Sequence, residues 1–196
     1  MRMAKGEQTR ARTVETFLDA GLEVFAERGF HTASMDDICH RAGLSRGAFY
    51  SNFAGKEAFF LALFDRHAER QVGRIAAAIE SAGSLEAAIT ATVDAAAPDD
   101  PEERRWFLVS TEFTIHAARN AAAADHLAQR DRAIRDRLSH ALARFDVAPH
   151  DADLLARYAV ALYEGAQLSN VVDGDAAATR ELLTRFVPAG LAALRG

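Results

Sequence analysis

The sequence predicts an all-α protein of about nine helices, and three observations carry that prediction. Much of the hydrophobic content is alanine, the strongest helix former. Only four prolines interrupt 196 residues. No alternating run rich in Val, Ile or Thr marks a strand. With 26% charged and 49% hydrophobic residues the chain is globular, and its length suffices for one large domain or two small ones.

The elements follow in order. From Thr13, apolar residues at Val14, Phe17, Leu18, Leu22 and Phe25 keep the i, i+3, i+4 spacing of an amphipathic helix, which Gly29 ends. Ser34-Met35-Asp36-Asp37 has the form of a capping box, opening a second helix that reaches Ala42. Gly43 supplies a tight turn, and Ser45 is placed to cap a short helix over about 46–52. A long helix opens at Lys56 with Phe59, Phe60, Leu63 and Phe64, and extends to the Gly83-Ser84 break. Ser84 caps a helix ending near Ala97, and Asp100-Pro101-Glu102-Glu103 starts another through His116. Further helices are predicted from about Asp125 to Phe145, from Asp151 to Val172, and after Asp175.

Residues 43–57, GLSRGAFYSNFAGKE, are the most informative stretch. They read as the turn, second helix and exit of a helix-turn-helix. Phe49 and Phe53 face a core, while Arg46, Tyr50, Ser51 and Asn52 lie on a polar front suited to a DNA major groove.

Net charge is −5, but it is uneven. Residues 1–60 hold eight Lys/Arg and eight Asp/Glu, so the whole excess of acid lies beyond them, and Lys5, Arg10 and Arg12 form a basic N-terminal arm. This fits a DNA-facing head on an acidic body. The single cysteine, Cys39, excludes an internal disulfide and a cysteine metal cluster, and reads as a small core residue. No apolar run has the length of a membrane span and the start lacks a signal region, so a cytoplasmic location is expected. No phosphate loop, nucleophile elbow or H-E-x-x-H motif is present. No catalytic residue, metal or cofactor is therefore assigned.

The second half offers two candidate surfaces. Trp106, Phe107, Phe113, His116, Tyr158, Tyr163 and Gln167 either fill the core, as aromatics at helical spacing commonly do, or line an effector pocket, because a buried His, Tyr or Gln needs a polar partner that a ligand can supply. The last two helices carry apolar stripes through Leu155 and Leu162, then Leu182, Leu183, Phe186, Val187, Leu191 and Leu194. Paired with a second copy, they would make a four-helix bundle; alternatively, both stripes face the chain's own core.

Residues 14–64 resemble the DNA-binding domain of the TetR family of bacterial transcriptional regulators, through FAERGF at 25–30 and TASMDDICHRAGLSRGAFYSNFAGKEAFF at 32–60. The resemblance implies a DNA-binding domain over 1–55, arm included, and an effector-binding and dimerisation domain over 56–196. It implies a homodimer on a palindromic operator in double-stranded DNA, most simply as a repressor responding to a small-molecule effector. Carried over by position, Arg46, Gly47 and Ala48 would meet bases. Tyr50, Asn52, Lys56 and the Ser34 hydroxyl would meet phosphates, with Asn52 standing where many relatives have His; Ser45 and the arm residues Arg10, Arg12 and Thr13 are further phosphate candidates from their polar or cationic side chains. Two other readings compete: a DNA-binding dimer without an effector, and a helical enzyme or scaffold that only mimics the motif.

Overall fold

A computed structural model describes residues 5–96 and 100–194. Among them run nine α-helices, one 3-10 turn and no strand. The helices are α1 (Lys5–Arg28), α2 (Met35–Ala42), α3 (Arg46–Tyr50), α4 (Lys56–Ser81), α5 (Leu85–Ala96), α6 (Pro101–Ala117), α7 (Ala121–Leu142), α8 (Pro149–Asp173) and α9 (Ala176–Leu194), with the 3-10 turn at Ala143–Phe145.

Where a capping side chain was expected, it caps. The Ser34 hydroxyl accepts from the Asp37 N–H while the Asp37 carboxylate accepts from the Ser34 N–H, closing the box at α2. Ser45 accepts from Ala48 N–H at α3, Ser84 from Ala87 N–H at α5, and Asp100 from Glu102 N–H at α6. The start of α1 differs from expectation. The stretch expected as a basic arm ahead of the helix is itself helical from Lys5, eight residues before Thr13. Its first turns have no apolar stripe to announce them; Thr13 and Thr16 hydroxyls bond back to Thr9 and Arg12 carbonyls, and Arg10 Nε donates to Asn52 at 3.0 Å. The seventh helix begins at Ala121 rather than Asp125, with Asn120 accepting from Ala123 N–H.

The chain forms two compact units, residues 1–66 with 105–124, and residues 67–104 with 125–196. The first therefore takes in α1 to α3, the start of α4 and most of α6, which is more of the chain than the expected 1–55. Its core is aromatic. Phe17, Phe49 and Phe53 meet edge to face or tilted, with centroids 5.2–6.1 Å apart, and Phe59 stands edge-on to Phe53 at 4.8 Å. Phe113 of α6 stacks on Phe60 at 3.8 Å and meets Phe30 edge-on at 5.2 Å. Each such side chain contributes about 1.5–3 kcal/mol by leaving water, with aromatic pairing on top. At Gly21 a Cβ would lie 2.3 Å from the Phe59 ring, so α1 needs glycine to approach α4 this closely.

The second unit buries Leu85, Ile89 and Val93 of α5 with Leu142, Leu155, Leu183 and Val187. Its helices α8 and α9 turn back on each other through Gly174, which sits at φ 75°. Thr179 bonds the Ala166 carbonyl, and Tyr158 donates to the Phe186 carbonyl at 2.9 Å, so the two run antiparallel.

Candidate nucleic-acid interface

Helix α3 is short, and its geometry is set from behind. Phe49 is fully buried, Gly43 at φ 66° makes the preceding turn, and the Ser45 cap fixes the first residue. The opposite edge is open. Arg46, Gly47 and Tyr50 are exposed, Ala48 is half-buried, and a Cβ at Gly47 would meet nothing closer than 3.8 Å. Tyr50 is 56% exposed for a large aromatic residue. A rigid edge of Arg, Gly, Ala and Tyr that the fold itself does not cover is the surface a duplex requires.

Helix α2 backs this edge and is lashed to α1 by charge. Arg41 reaches Glu23 at 2.8 Å and Glu27 at 2.6 Å, and Arg28 reaches Asp37 at 2.7 Å. These partners hold the Glu27 and Asp37 carboxyls below their ordinary pKa values: chiefly Arg41 bonding for Glu27, and chiefly the Ser34 hydroxyl and N–H for Asp37. The Asp36 carboxylate, which no sequence pattern marks, forks the Arg46 guanidinium.

The expected phosphate contacts separate into two groups. Arg12 and Tyr50 are exposed, Thr13 is half-buried, and Arg10 is exposed and tied to Asn52. Asn52 Nδ2 also donates to the Ala48 carbonyl at 2.8 Å, so this half-buried side chain joins the arm to α3. Ser34 and Ser45 are committed to caps. Lys56 has partners within the fold. Its ammonium donates to the Phe30, His31 and Ala33 carbonyls at 2.7, 3.0 and 3.2 Å, and lies 4.9 Å from the Phe30 ring centre. All three of its donors are engaged, and burial lowers its pKa. Lys56 pins the turn between α1 and α2 from the start of α4.

Glu112 of α6 grips the same turn. Its carboxylate accepts from Phe30 N–H at 2.5 Å. Gly29, at φ 78°, is required for that backbone angle, and a Cβ there would also come within 2.9 Å of the Glu112 carboxylate, which would have to shift. One turn along α6, His116 pairs with Glu57 of α4 at 2.8 Å. The Glu112–His116 spacing therefore serves two different partners.

A family model described as bacterial regulatory proteins, tetR family, matches residues 17–63, and one described as BetI-type transcriptional repressor, C-terminal, matches residues 85–194, more than half of the chain. The chain belongs to the TetR family. The transcriptional repressor AcnR of Corynebacterium glutamicum is 31% identical over 144 residues, covering 71% of this chain and 70% of AcnR. The transcriptional regulator UidR of Escherichia coli is 39% identical over 79 residues, 40% of each chain. The chain spans only 36–40% of the length of the first curated relatives it matches. A transcriptional regulator from Rhodococcus sp. Rha1, of known structure, superposes with a TM-score of 0.77 at 23% identity, over 92% of this chain and 96% of that one.

In this TetR-family chain the residues expected to line one effector pocket fall in both compact units. Phe113 and Phe107 are buried; Trp106 packs on Phe60 and Phe64, and His116 on Phe30 and Glu57. They belong to the first unit, and Phe113 closes its core. Tyr163 and Gln167 belong to the second, and they answer each other: Gln167 Nε2 donates to the Tyr163 hydroxyl at 3.2 Å, and Asn170 donates to Gln167. Burial pushes the Tyr163 pKa up to about 12. Nearby, buried Glu103 is held by His67 at 3.2 Å and by Arg74. A separate apolar cavity of about 40 Å³ within the second unit is lined by Ile79, Ile89, Thr92, Leu138, Leu142 and Leu155 among others.

The expected dimer stripes also need correction. Leu155, Leu183 and Val187 are buried in the second unit's own core, with Leu162 packed against it. The face left open on α8 carries Leu154, Tyr158, Leu168 and Val172, and on α9 Leu182 and Phe186. The side chains of Leu191 and Leu194 lie outside the described residues. No helix among the described residues is long and apolar enough to cross a membrane.

Proposed function

We infer that the chain is a DNA-binding transcriptional regulator, acting as a repressor that binds a palindromic operator as a homodimer. The observation that carries this reading is the open Arg46–Tyr50 edge of α3, capped by Ser45 and anchored by buried Phe49, in a chain of this family. Arg46 contacts bases, Gly47 and Ala48 let the helix approach closely, and Tyr50, Arg12, Thr13 and the Arg10–Asn52 pair hold phosphates. The second copy docks on the open face of α8 and α9, where Leu154, Tyr158, Ala161, Gly165, Leu168 and Val172 recur at helical spacing beside Leu182 and Phe186. A pair of α3 helices then meets two half-sites one groove turn apart, about 34–36 Å.

A small-molecule effector bound in the second unit shifts the dimer between two arrangements. Helix α4 runs from the first unit into the second, so its displacement changes how the α3 helices are spaced. Operator DNA must weaken effector binding by the factor that effector weakens operator binding. The reading assigns no catalytic step, and places the protein with DNA in the cytoplasm.

The test is an anisotropy titration against DNA flanking the protein's own gene and against an unrelated duplex, at two salt concentrations. Selective, salt-sensitive binding that Arg46→Ala abolishes is the expected result. Equal, weak binding to both duplexes by wild type and variant refutes it. Phe186→Glu, at an exposed position, is expected to give a folded monomer in sedimentation; an intact dimer would remove α9 from the interface.

A further inference from the structure

We propose that Asp36 is a specificity-determining residue: it aims the Arg46 guanidinium so that its outer edge reads one guanine. The proposal rests on α3 being the DNA-reading helix and goes beyond it, by assigning α2 a part in base selection.

Asp36 stands in the first turn of α2, and Arg46 is the first residue of α3. The two side chains meet as a fork, Nε to Oδ1 and Nη2 to Oδ2, the latter at 2.5 Å. Both remain mostly exposed, 66% and 57%. An exposed pair of this kind contributes little to stability. Helix capping does not require it either, because Ser34 and Asp37 close the box and Asp37 already pairs with Arg28.

What the fork does is directional. A guanidinium carries five N–H donors in one plane. Asp36 takes the Nε–H and one Nη2–H along one side. The remaining Nη2–H and an Nη1–H point outward in parallel from the far end. Two parallel donors match the O6 and N7 acceptors on the major-groove edge of guanine, and no other base offers that pair. A free arginine on the open α3 edge would sample many rotamers and reach phosphates as readily as bases. Held by Asp36, it has already lost that freedom. The carboxylate itself repels backbone phosphates, so it lowers affinity for every duplex while favouring the one that presents guanine correctly.

The experiment is in vitro selection from a random-duplex library with wild type, Asp36→Ala, Arg46→Ala and the double variant, with helicity checked by circular dichroism. Wild type is expected to select a guanine in each half-site. Asp36→Ala should lose about five-fold in preference for that guanine while binding random duplex more tightly. In the Arg46→Ala background, Asp36→Ala should leave base preference unchanged. A wild-type preference that survives intact in Asp36→Ala overturns the inference alone, leaving Asp36 a merely repulsive charge. Failure of wild type to select any sequence overturns the reading of α3, and this inference with it.

Discussion

Replacing Lys56 by Met separates two roles that the same residue type can play beside DNA. The structure gives its ammonium three carbonyl partners, Phe30, His31 and Ala33, and a place near the Phe30 ring. A charge-assisted hydrogen bond nets about 1.5–3 kcal/mol, but here three share one half-buried ammonium whose desolvation opposes them. A total loss of about 2–3 kcal/mol follows. For a chain of this size each kcal/mol moves the melting temperature by about 2–4 °C, so Lys56→Met should lower it by roughly 4–12 °C. A phosphate contact makes a different prediction. Losing one per subunit would flatten the slope of log K against log salt by about 1.8 for a dimer, because each contact contributes about 0.9. Thermal melting and anisotropy titration across salt measure both quantities on one sample. The expected result is a large melting shift with the slope unchanged. An unchanged melting temperature with a flattened slope would refute the argument and return Lys56 to the DNA surface.

Four further outcomes follow from the packing, a cap and a buried phenol. Gly21→Ala should destabilise by about 1–2 kcal/mol in urea unfolding, since overpacking against Phe59 outweighs the roughly 1 kcal/mol gain in helix propensity. Gly73→Ala in α4, where a Cβ meets nothing within 4 Å, should stabilise instead, and equal effects at the two sites would sink the argument. Ser34→Ala should cost about 1 kcal/mol and also flatten the acid side of the stability curve. The Asp37 pKa is depressed in the folded state, so its contribution is present above the ordinary carboxylate range and lost as pH falls through the folded value; an unaltered acid limb would contradict this. Tyr163 runs the other way. Its folded pKa of about 12 lies above the unfolded value near 10, so stability should decline between about pH 10 and 12, and Tyr163→Phe should remove that decline.

The parts legible in the sequence were those written in local chemistry. Ser34, Ser45, Ser84 and Asp100 cap the helices they were read as starting, because a cap depends on residues two or three positions away. The first turns of α1 were not legible, because they present no apolar periodicity and lean on Asn52, 42 positions ahead of Arg10. The Asp36–Arg46 fork and the three carbonyls around Lys56 were equally hidden, since each needs two helices brought together. On α8 and α9 the stripe was visible but its direction was not. Leu155 and Tyr158 are one turn apart, as are Leu183 and Phe186, yet in each pair one fills the subunit's core and the other faces solvent. Periodicity finds a face and does not say what covers it.

Helix α6 carries a lesson for anyone recombining such regulators. Phe113 stacks on Phe60, and Glu112 holds the backbone of Phe30, so the head that carries α3 is assembled from two stretches of chain separated by some forty residues. A chimera that joins residues 1–66 of this chain to the remainder of a relative would inherit a foreign α6. Where that α6 lacks an equivalent ring and carboxylate, the head loses part of its core and the acceptor for the Phe30 amide in the same cut. The transferable cassette is discontinuous in the gene: a working exchange has to move most of α6 together with α1 to α3 and the start of α4.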